Sequence, residues 1–444
     1  MAVDYVYRVE QPHVSGQLAK VCAQIARESG LIGDIGTISI GRDRSIREIS
    51  VEVSGDEQAK RVADELGRLE GVRVISFWDR ALRAHEGGKL AIVPSREMKT
   101  LQDMRDVYTP GVARVCMAIA EEPALAHRFT MIGRTVAICT NGTRVLGLGD
   151  IGPVASMPVM EGKAMFYRQL AGISAIPILI DVDEPDAFVE TVKRIAGGFG
   201  GIHLEDIRAP DCFEIEERLI SELDIPVMHD DVHGTAVATL GAVLVACGYA
   251  GIELSDSVVG QIGLGAAGFG IADLVKEAGA KQVIASDPSE ASHERAQNAG
   301  IEVTSFEDVM ERARIVIATT GQPGLIKPDM VQEGQIILAL TNPDPEIAAK
   351  DAEAAGAAFA ADGAMVNNVL GFPGIFRGAL AAGSQDISTG MKLAAARTIA
   401  GLTAESELVP DALDPAVHAE VAKAVEEAAR DEGLAHPERV PAGL

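Results

Sequence analysis

Residues 257–287 read SVVGQIGLGAAGFGIADLVKEAGAKQVIASD. An apolar run through Val258, Val259 and Ile262 meets Gly263, Gly265 and Gly268 in the spacing G-x-G-x-x-G, and a helix-forming stretch follows. A second apolar run ends at Asp287, about twenty residues past the glycines. This order suits a dinucleotide. The helix opening at Gly265, Ala266, Ala267 and Gly268 offers unpaired N–H groups and a positive dipole end to the pyrophosphate, and Asp287 stands where a carboxylate meets the adenosine ribose. A carboxylate there repels the extra phosphate of NADP, and residues 288–294 (PSEASHE) hold no Lys or Arg to receive it. NAD is therefore expected, with Arg295 the basic side chain that could still reach in.

The spacing occurs a second time, at Gly147, Gly149 and Gly152 in GLGDIG. Pro153 and Pro158 follow it and are expected to rule out an uninterrupted helix. The side chains downstream are Lys163 and Arg168 rather than an acid. The first loop is not expected to bind the dinucleotide.

Outward from these loops, TVAICT, AIPILID, GGIHLED and IPVMHDD alternate with helical patterns between 130 and 231, and SVVGQIG, KQVIASD, RIVIATT and QIILALTNP do so after 256. Short apolar runs separated by helices predict parallel sheets with helices on their faces. Residues 1–85 differ, with the order β-α-β-β-α-β and helical stripes at Leu18, Val21, Cys22, Ile25 and at Ala59, Val62, Leu66, Leu69. Two helices on one antiparallel sheet is the ferredoxin-like arrangement. The expected organisation is a small α/β unit at 1–85, a linker at 86–100, a substrate and metal domain at 101–235, a Rossmann nucleotide domain at 236–385 and a helical segment at 386–444. The uncharged run 234–252 is read as a buried helix, not a membrane span.

With 39 basic and 65 acidic side chains, a formal charge of −26, the surface repels phosphate backbones and anionic lipid, which argues against nucleic acid or membrane as partner. The five cysteines are scattered and never paired as C-x-x-C, the usage of a reduced cytoplasmic protein. No export signal is expected at MAVDYVYRVEQ, where Asp4 interrupts the apolar stretch.

Glu205–Asp206 and Asp230–Asp231 each close an apolar run, and parallel sheets gather their ligands at the carboxyl ends of strands. Hard oxygens without cysteine suit Mg²⁺ or Mn²⁺. His229 and His233 read as scaffold rather than ligands. Lys163 lies among mostly apolar neighbours (PVM before, AMFY after), where desolvation is expected to lower its pKa toward that of a base. Arg144 can clamp a carboxylate. Asn342 ends a strand, and Asn367 and Asn368 precede the apolar loop VLGFPGIF.

Taken in order, YTPGVA (108–113), NGTRVLGLGDIG (141–152), PVMEGKA (158–164), ED (205–206), HDDVHGTA (229–236), GLGAAG (263–268) and NNVLGFPGIFRGAL (367–380) resemble the bacterial malic enzymes over about 95–444. The PHVSGQL turn, with Val14, Ser15 and Gly16, resembles the signature of ACT domains, so a small metabolite such as an amino acid is expected there at a dimer interface. The resemblance implies oxidative decarboxylation of (S)-malate to pyruvate and CO₂ with NAD⁺. It implies a metal on Glu205, Asp206 and Asp231, with Asp230 tuning Lys163 or the metal surroundings. Lys163 becomes the base and Tyr108 the acid, and Arg144, Asn342, Asn367 and Asn368 hold the substrate. The NAD site is expected at Gly263, Gly265, Ala266, Ala267, Gly268, Asp287, Thr320 and Asn342, in a homodimer or higher oligomer. The first glycine loop then serves the substrate. One departure is Val232, where the family often has Gln. Two rival readings are an amino-acid dehydrogenase, which needs no carboxylate triad, and a sensor with an inactive enzyme body.

Overall fold

The computed structural model describes residues 2–443 apart from Leu146 and Ala364. The chain divides into two compact units, Met1–Lys89 and Leu90–Leu444.

In the first unit, β1 (Val3–Pro12), β2 (Leu31–Ile40), β3 (Arg44–Val53) and β4 (Arg73–Asp79) pair antiparallel in the order β2-β3-β1-β4. Period-two alternation turns Tyr5, Tyr7 and Val9 inward from β1 and Ile49, Val51 and Val53 from β3. Helices Gln17–Arg27 and Asp56–Gly67 close over that face with Val21, Ile25, Ala59, Val62 and Leu66, which together form one core. This is a ferredoxin-like fold. Helix Gln17–Arg27 is entered through Gly16 at φ 82°, a left-handed conformation that favours glycine.

The second unit holds two parallel sheets. β5 (Thr135–Thr140), β6 (Ser174–Leu179), β7 (Gly201–Leu204) and β8 (Val227–His229) take the order β6-β5-β7-β8. β9 (Val258–Ile262), β10 (Gln282–Ser286), β11 (Glu302–Val303), β12 (Ile315–Ala318), β13 (Ile336–Ala339) and β14 (Phe359–Asp362) take the order β11-β10-β9-β12-β13-β14. With β9 counted first, that is 3-2-1-4-5-6, the doubly wound Rossmann arrangement. Helix Thr235–Ala250 joins the sheets. The run Asp230–Ala250 is long and apolar enough to cross a membrane, but most of it is buried in the core, where helices Phe372–Ala382, Thr389–Leu402 and Pro415–Asp431 also pack.

One expectation fails. After the first glycine loop a single helix runs Gly152–Leu170, with Pro158 inside it. Pro153 lies in the first turn, where an N–H is spare in any case. Pro158 removes the bond to the carbonyl of Val154, and Val154 is 78% exposed, so water can take that carbonyl.

Candidate active site

β7 and β8 lie side by side, so their carboxyl ends carry Glu205–Asp206 and Asp230–Asp231 to one place. One oxygen each from Glu205, Asp206 and Asp231 lie within 4.8 Å of one another. Asp206 adopts φ 55°, and its N–H donates to Asp231 Oδ2 at 2.9 Å. Its own Oδ2 is buried without a hydrogen-bond partner among the described residues. Asp230 is fully buried beside Gly234, where a Cβ would stand 1.7 Å from Asp230 Oδ1, so any side chain at 234 would have to displace that carboxylate.

Lys163 arrives from helix Gly152–Leu170. Its Nζ donates to Asp230 Oδ2, lies 3.0 Å from Glu205 Oε1 and sits 4.6 Å from the centre of the Phe372 ring. Burial alone would depress its pKa, as the sequence suggested. The charges of Asp230, Glu205 and Asp231 outweigh burial, however, and hold the ammonium well above its ordinary value. Burial works the other way on the acids. Desolvation, reinforced by the neighbouring carboxylates, pushes Asp206 up to about 8. Desolvation raises Glu205 to about 7 and Asp230 to about 6, the nearby Lys163 charge opposing it in both.

Buried carboxylates that resist ionisation, an orphaned Asp206 oxygen and an oxygen-only donor set fit a hard divalent cation. Glu205, Asp206 and Asp231 are the residues that would hold it.

The sequence reading missed a chain behind Glu205. His203 is fully buried, and burial lowers its pKa to about 4, so the ring is neutral. Tyr167 OH lies 2.8 Å from Nδ1, and Nε2 lies 2.5 Å from Glu205 Oε2. Burial keeps Tyr167 a phenol, so it donates to Nδ1 and Nε2–H donates to Glu205. Phe372 and Phe376 pack around this pair. The alternation in GGIHLED was the available signal: it puts His203 on the same side of the strand as Glu205, opposite Ile202 and Leu204, but gives no partner 36 residues away.

At the nucleotide end, Gly268 lies so close to the strand turn that a Cβ would meet Gly263 O at 1.9 Å. Gly265 caps the helix that Ala266 and Ala267 open. Asp287 Oδ2 accepts Leu264 N–H at 2.6 Å and Oδ1 accepts Ser289 N–H at 2.8 Å. Each oxygen keeps a second lone pair for a ribose hydroxyl. Arg295 is stacked 3.8 Å from the Phe213 ring centre and 5.7 Å from that of Phe269.

A family model for the malic enzyme N-terminal domain matches residues 87–220, and one for the NAD-binding domain of D-isomer specific 2-hydroxyacid dehydrogenases matches 241–323. NAD-dependent malic enzyme 1 of Bacillus subtilis (strain 168) is 52% identical over 423 residues, covering 95% of this chain and 96% of its own. This chain belongs to the malic enzyme family. NAD-dependent malic enzyme of Geobacillus stearothermophilus is 41% identical over 95% of this chain and 94% of its own. Among solved malic enzymes, that of Pyrococcus horikoshii Ot3 superposes with a TM-score of 0.76 at 37% identity, covering 80% of this chain and 91% of that one.

As a malic enzyme the chain brings Lys163, Glu205, Asp206, Asp230 and Asp231 together. Arg144 joins through its backbone, its N–H donating to Asp206 O at 3.0 Å, while its side chain is exposed. The Asn367–Asn368 turn leads into the helix Phe372–Ala382, whose Phe372 touches Lys163. Asn367 Oδ1 accepts Val369 N–H at 3.0 Å. Asn342 donates to Gly363 O at 3.1 Å, and Thr320 Oγ1 to Glu346 at 2.8 Å. Tyr108 is not brought in. It ends helix Leu101–Val107 and is 67% exposed. Val232, the departure from the family pattern, is buried in the core against helix Ala266–Glu277, not against the acids.

Proposed function

We propose that this malic enzyme oxidises (S)-malate to pyruvate and CO₂ with NAD⁺. The observation that carries the reading is the Lys163 amino group held between Asp230 and Glu205 at the edge of the Glu205–Asp206–Asp231 oxygens. The names of the Bacillus and Geobacillus relatives support the choice of NAD.

Glu205, Asp206 and Asp231 would hold Mg²⁺ or Mn²⁺, which would supply a Lewis acid for the substrate and a positive charge opposing the carboxylates that keep Lys163 protonated. Gly263–Gly268, Asp287, Thr320 and Asn342 would hold NAD⁺, which would supply the hydride acceptor. Lys163 takes the hydroxyl proton as carbon 2 loses hydride, and Asp230 orients Nζ meanwhile. Arg144, Asn342, Asn367 and Asn368 hold the carboxylates, so that the bond from carbon 3 to the leaving CO₂ stays aligned. Tyr108, exposed in the single chain and brought up by a second copy, then delivers a proton to carbon 3 of enolpyruvate. Purified enzyme should reduce NAD⁺ with malate only when Mg²⁺ or Mn²⁺ is present; equal turnover in EDTA would overturn the reading.

The exposure of Tyr108 bears on assembly. No residue of helices Leu101–Val107, Val112–Glu121 and Leu125–Phe129 is buried, and Leu101, Met117 and Phe129 are among the large apolar groups left outside. This bare apolar surface supports the reading of a homodimer in which a second copy covers it, and a monomeric mass in light scattering would remove that reading.

The unit of residues 2–89 we read as an ACT-like sensor. A cavity of about 240 Å³ adjoins Val14, Ser15 and Gly16 and is lined also by Gln11, Ser45 and Arg47. Gln11 Oε1, Ser45 Oγ and Arg47 Nε are buried there without partners among the described residues, which supports a small ligand bearing both a carboxylate and a donor group. Amino acids are the probes, and Gly16→Val should abolish any effect they have on malate kinetics.

A further inference from the structure

Against the Asp230–Gly234 turn, helix Asp211–Glu222 presents a buried carboxylate, Glu216, whose side chain is 7% exposed. Oε1 accepts His229 N–H at 2.7 Å, and Oε2 lies 3.1 Å from His233 Nε2. The other ring nitrogen of His233, Nδ1, faces Lys392 Nζ at 3.2 Å from helix Thr389–Leu402. An ammonium can only donate, so Nδ1 accepts and Nε2 carries the hydrogen that goes to Glu216. The chain Lys392 to His233 to Glu216 therefore has one polarity. Glu216 grips His229 and His233, each two positions from Asp231, while among the described residues the Asp231 carboxylate takes one hydrogen bond, from Asp206 N–H, and lies 3.7 Å from His229 Nδ1.

We infer that Glu216, His233 and Lys392 are positioning residues for the cation site, through which the C-terminal helix Thr389–Leu402 fixes where Asp231 stands. The inference rests on the reading of Glu205, Asp206 and Asp231 as cation ligands. Among the described residues the hydrogen bonds of the three reach His229 and His233 and not Glu205, Asp206 or Asp231, so their effect passes through the backbone of the turn.

Charge alone makes the opposite prediction for one variant, and this gives the test its edge. Removing the positive charge in Lys392→Met would tighten Mn²⁺ binding if only long-range electrostatics mattered, whereas a lost anchor loosens it. Mn²⁺ binding to the full chain is measured directly, from the free-ion electron paramagnetic resonance signal, alongside the melting temperature without metal and NADH binding. The expected result is a Mn²⁺ dissociation constant about 10- to 100-fold higher in Lys392→Met and Glu216→Gln, with NADH binding unchanged and Lys392→Arg close to wild type. Unchanged or tighter binding in folded Lys392→Met overturns the inference. Should Glu216→Gln not fold, Lys392→Met decides. Asp231→Asn separates the two levels: if it binds Mn²⁺ like wild type, the ligand reading itself falls, and if it alone loses binding, only the anchor does.

Discussion

The two glycine loops, 147–152 and 263–268, share a spacing and both lead into helices, yet they are built differently. After β9 ends at Ile262 the helix begins at Ala266, so loop, strand end and helix opening form one tight unit with Gly268 against Gly263. After β5 ends at Thr140 the helix begins only at Gly152, and Gly147, Gly149 and Gly152 all have positive φ. The intervening chain reaches instead to the acids, through Arg144 N–H on Asp206. A phosphate cradle depends on how soon the helix follows the strand. The second loop fulfils that condition; the first delivers a helix carrying Lys163.

The largest expected effect follows from that division. Lys163→Ala should cut malate oxidation by about 10²- to 10⁴-fold, the usual weight of a general base, while NADH fluorescence titrations show unaltered binding. Loss of NADH binding in this variant would erase the contrast between the loops. Next comes Gly268→Val, in which the new side chain must displace the Gly263 carbonyl; NADH binding should weaken by about 100-fold while Mn²⁺ still binds.

The two sites should also differ in their response to pH. Glu205 and Asp206, raised to about 7 and about 8, hold protons that a cation must displace. Mn²⁺ binding should therefore tighten as pH rises from 6 to 8, by up to about tenfold per unit for each proton displaced, and level off above. NADH binding should stay flat across the same range, and a flat Mn²⁺ profile would refute the raised acids. Asp287→Ser should shift preference from NAD toward NADP by about tenfold, roughly 1.4 kcal/mol, in kcat/KM ratios. A wild type that already favours NADP would implicate Arg295, despite its stacking between Phe213 and Phe269. The smallest change belongs to Gly149→Ala: a left-handed alanine in open space costs about 1 kcal/mol, visible as a few degrees in melting temperature with NADH affinity intact.

What could be read from the sequence was whatever the chain keeps local. Apolar runs placed the strands, the strand–glycine–helix order placed the nucleotide fold, and Glu205–Asp206 and Asp230–Asp231 declared themselves at strand ends. What escaped depended on partners far along the chain. Lys163 has an apolar neighbourhood in sequence but a carboxylate one in space, because Asp230 arrives from 67 residues away, and this reversed the expected direction of its pKa. The chain from Tyr167 through His203 to Glu205 escaped for the same reason. Pro158 misled because a rule about helix interiors holds for buried carbonyls and weakens beside solvent.

The contact between Val232 and Gly270 has a dimensional consequence. A Cβ on Gly270 would stand 2.3 Å from the Val232 carbonyl, so the turn bearing the acids rests on the nucleotide helix main chain to main chain. Side chains can swivel to absorb error, but two backbones in contact act as a gauge block. A substrate on the acids and a nicotinamide on the nucleotide fold would have their separation referenced to a hard stop one residue from Asp231, and Gly270→Ala is a shim inserted into that stop. Since a misplacement of about 1 Å can cost about 100-fold in rate, thickness at position 270, rather than any new chemistry, is what the hydride would register.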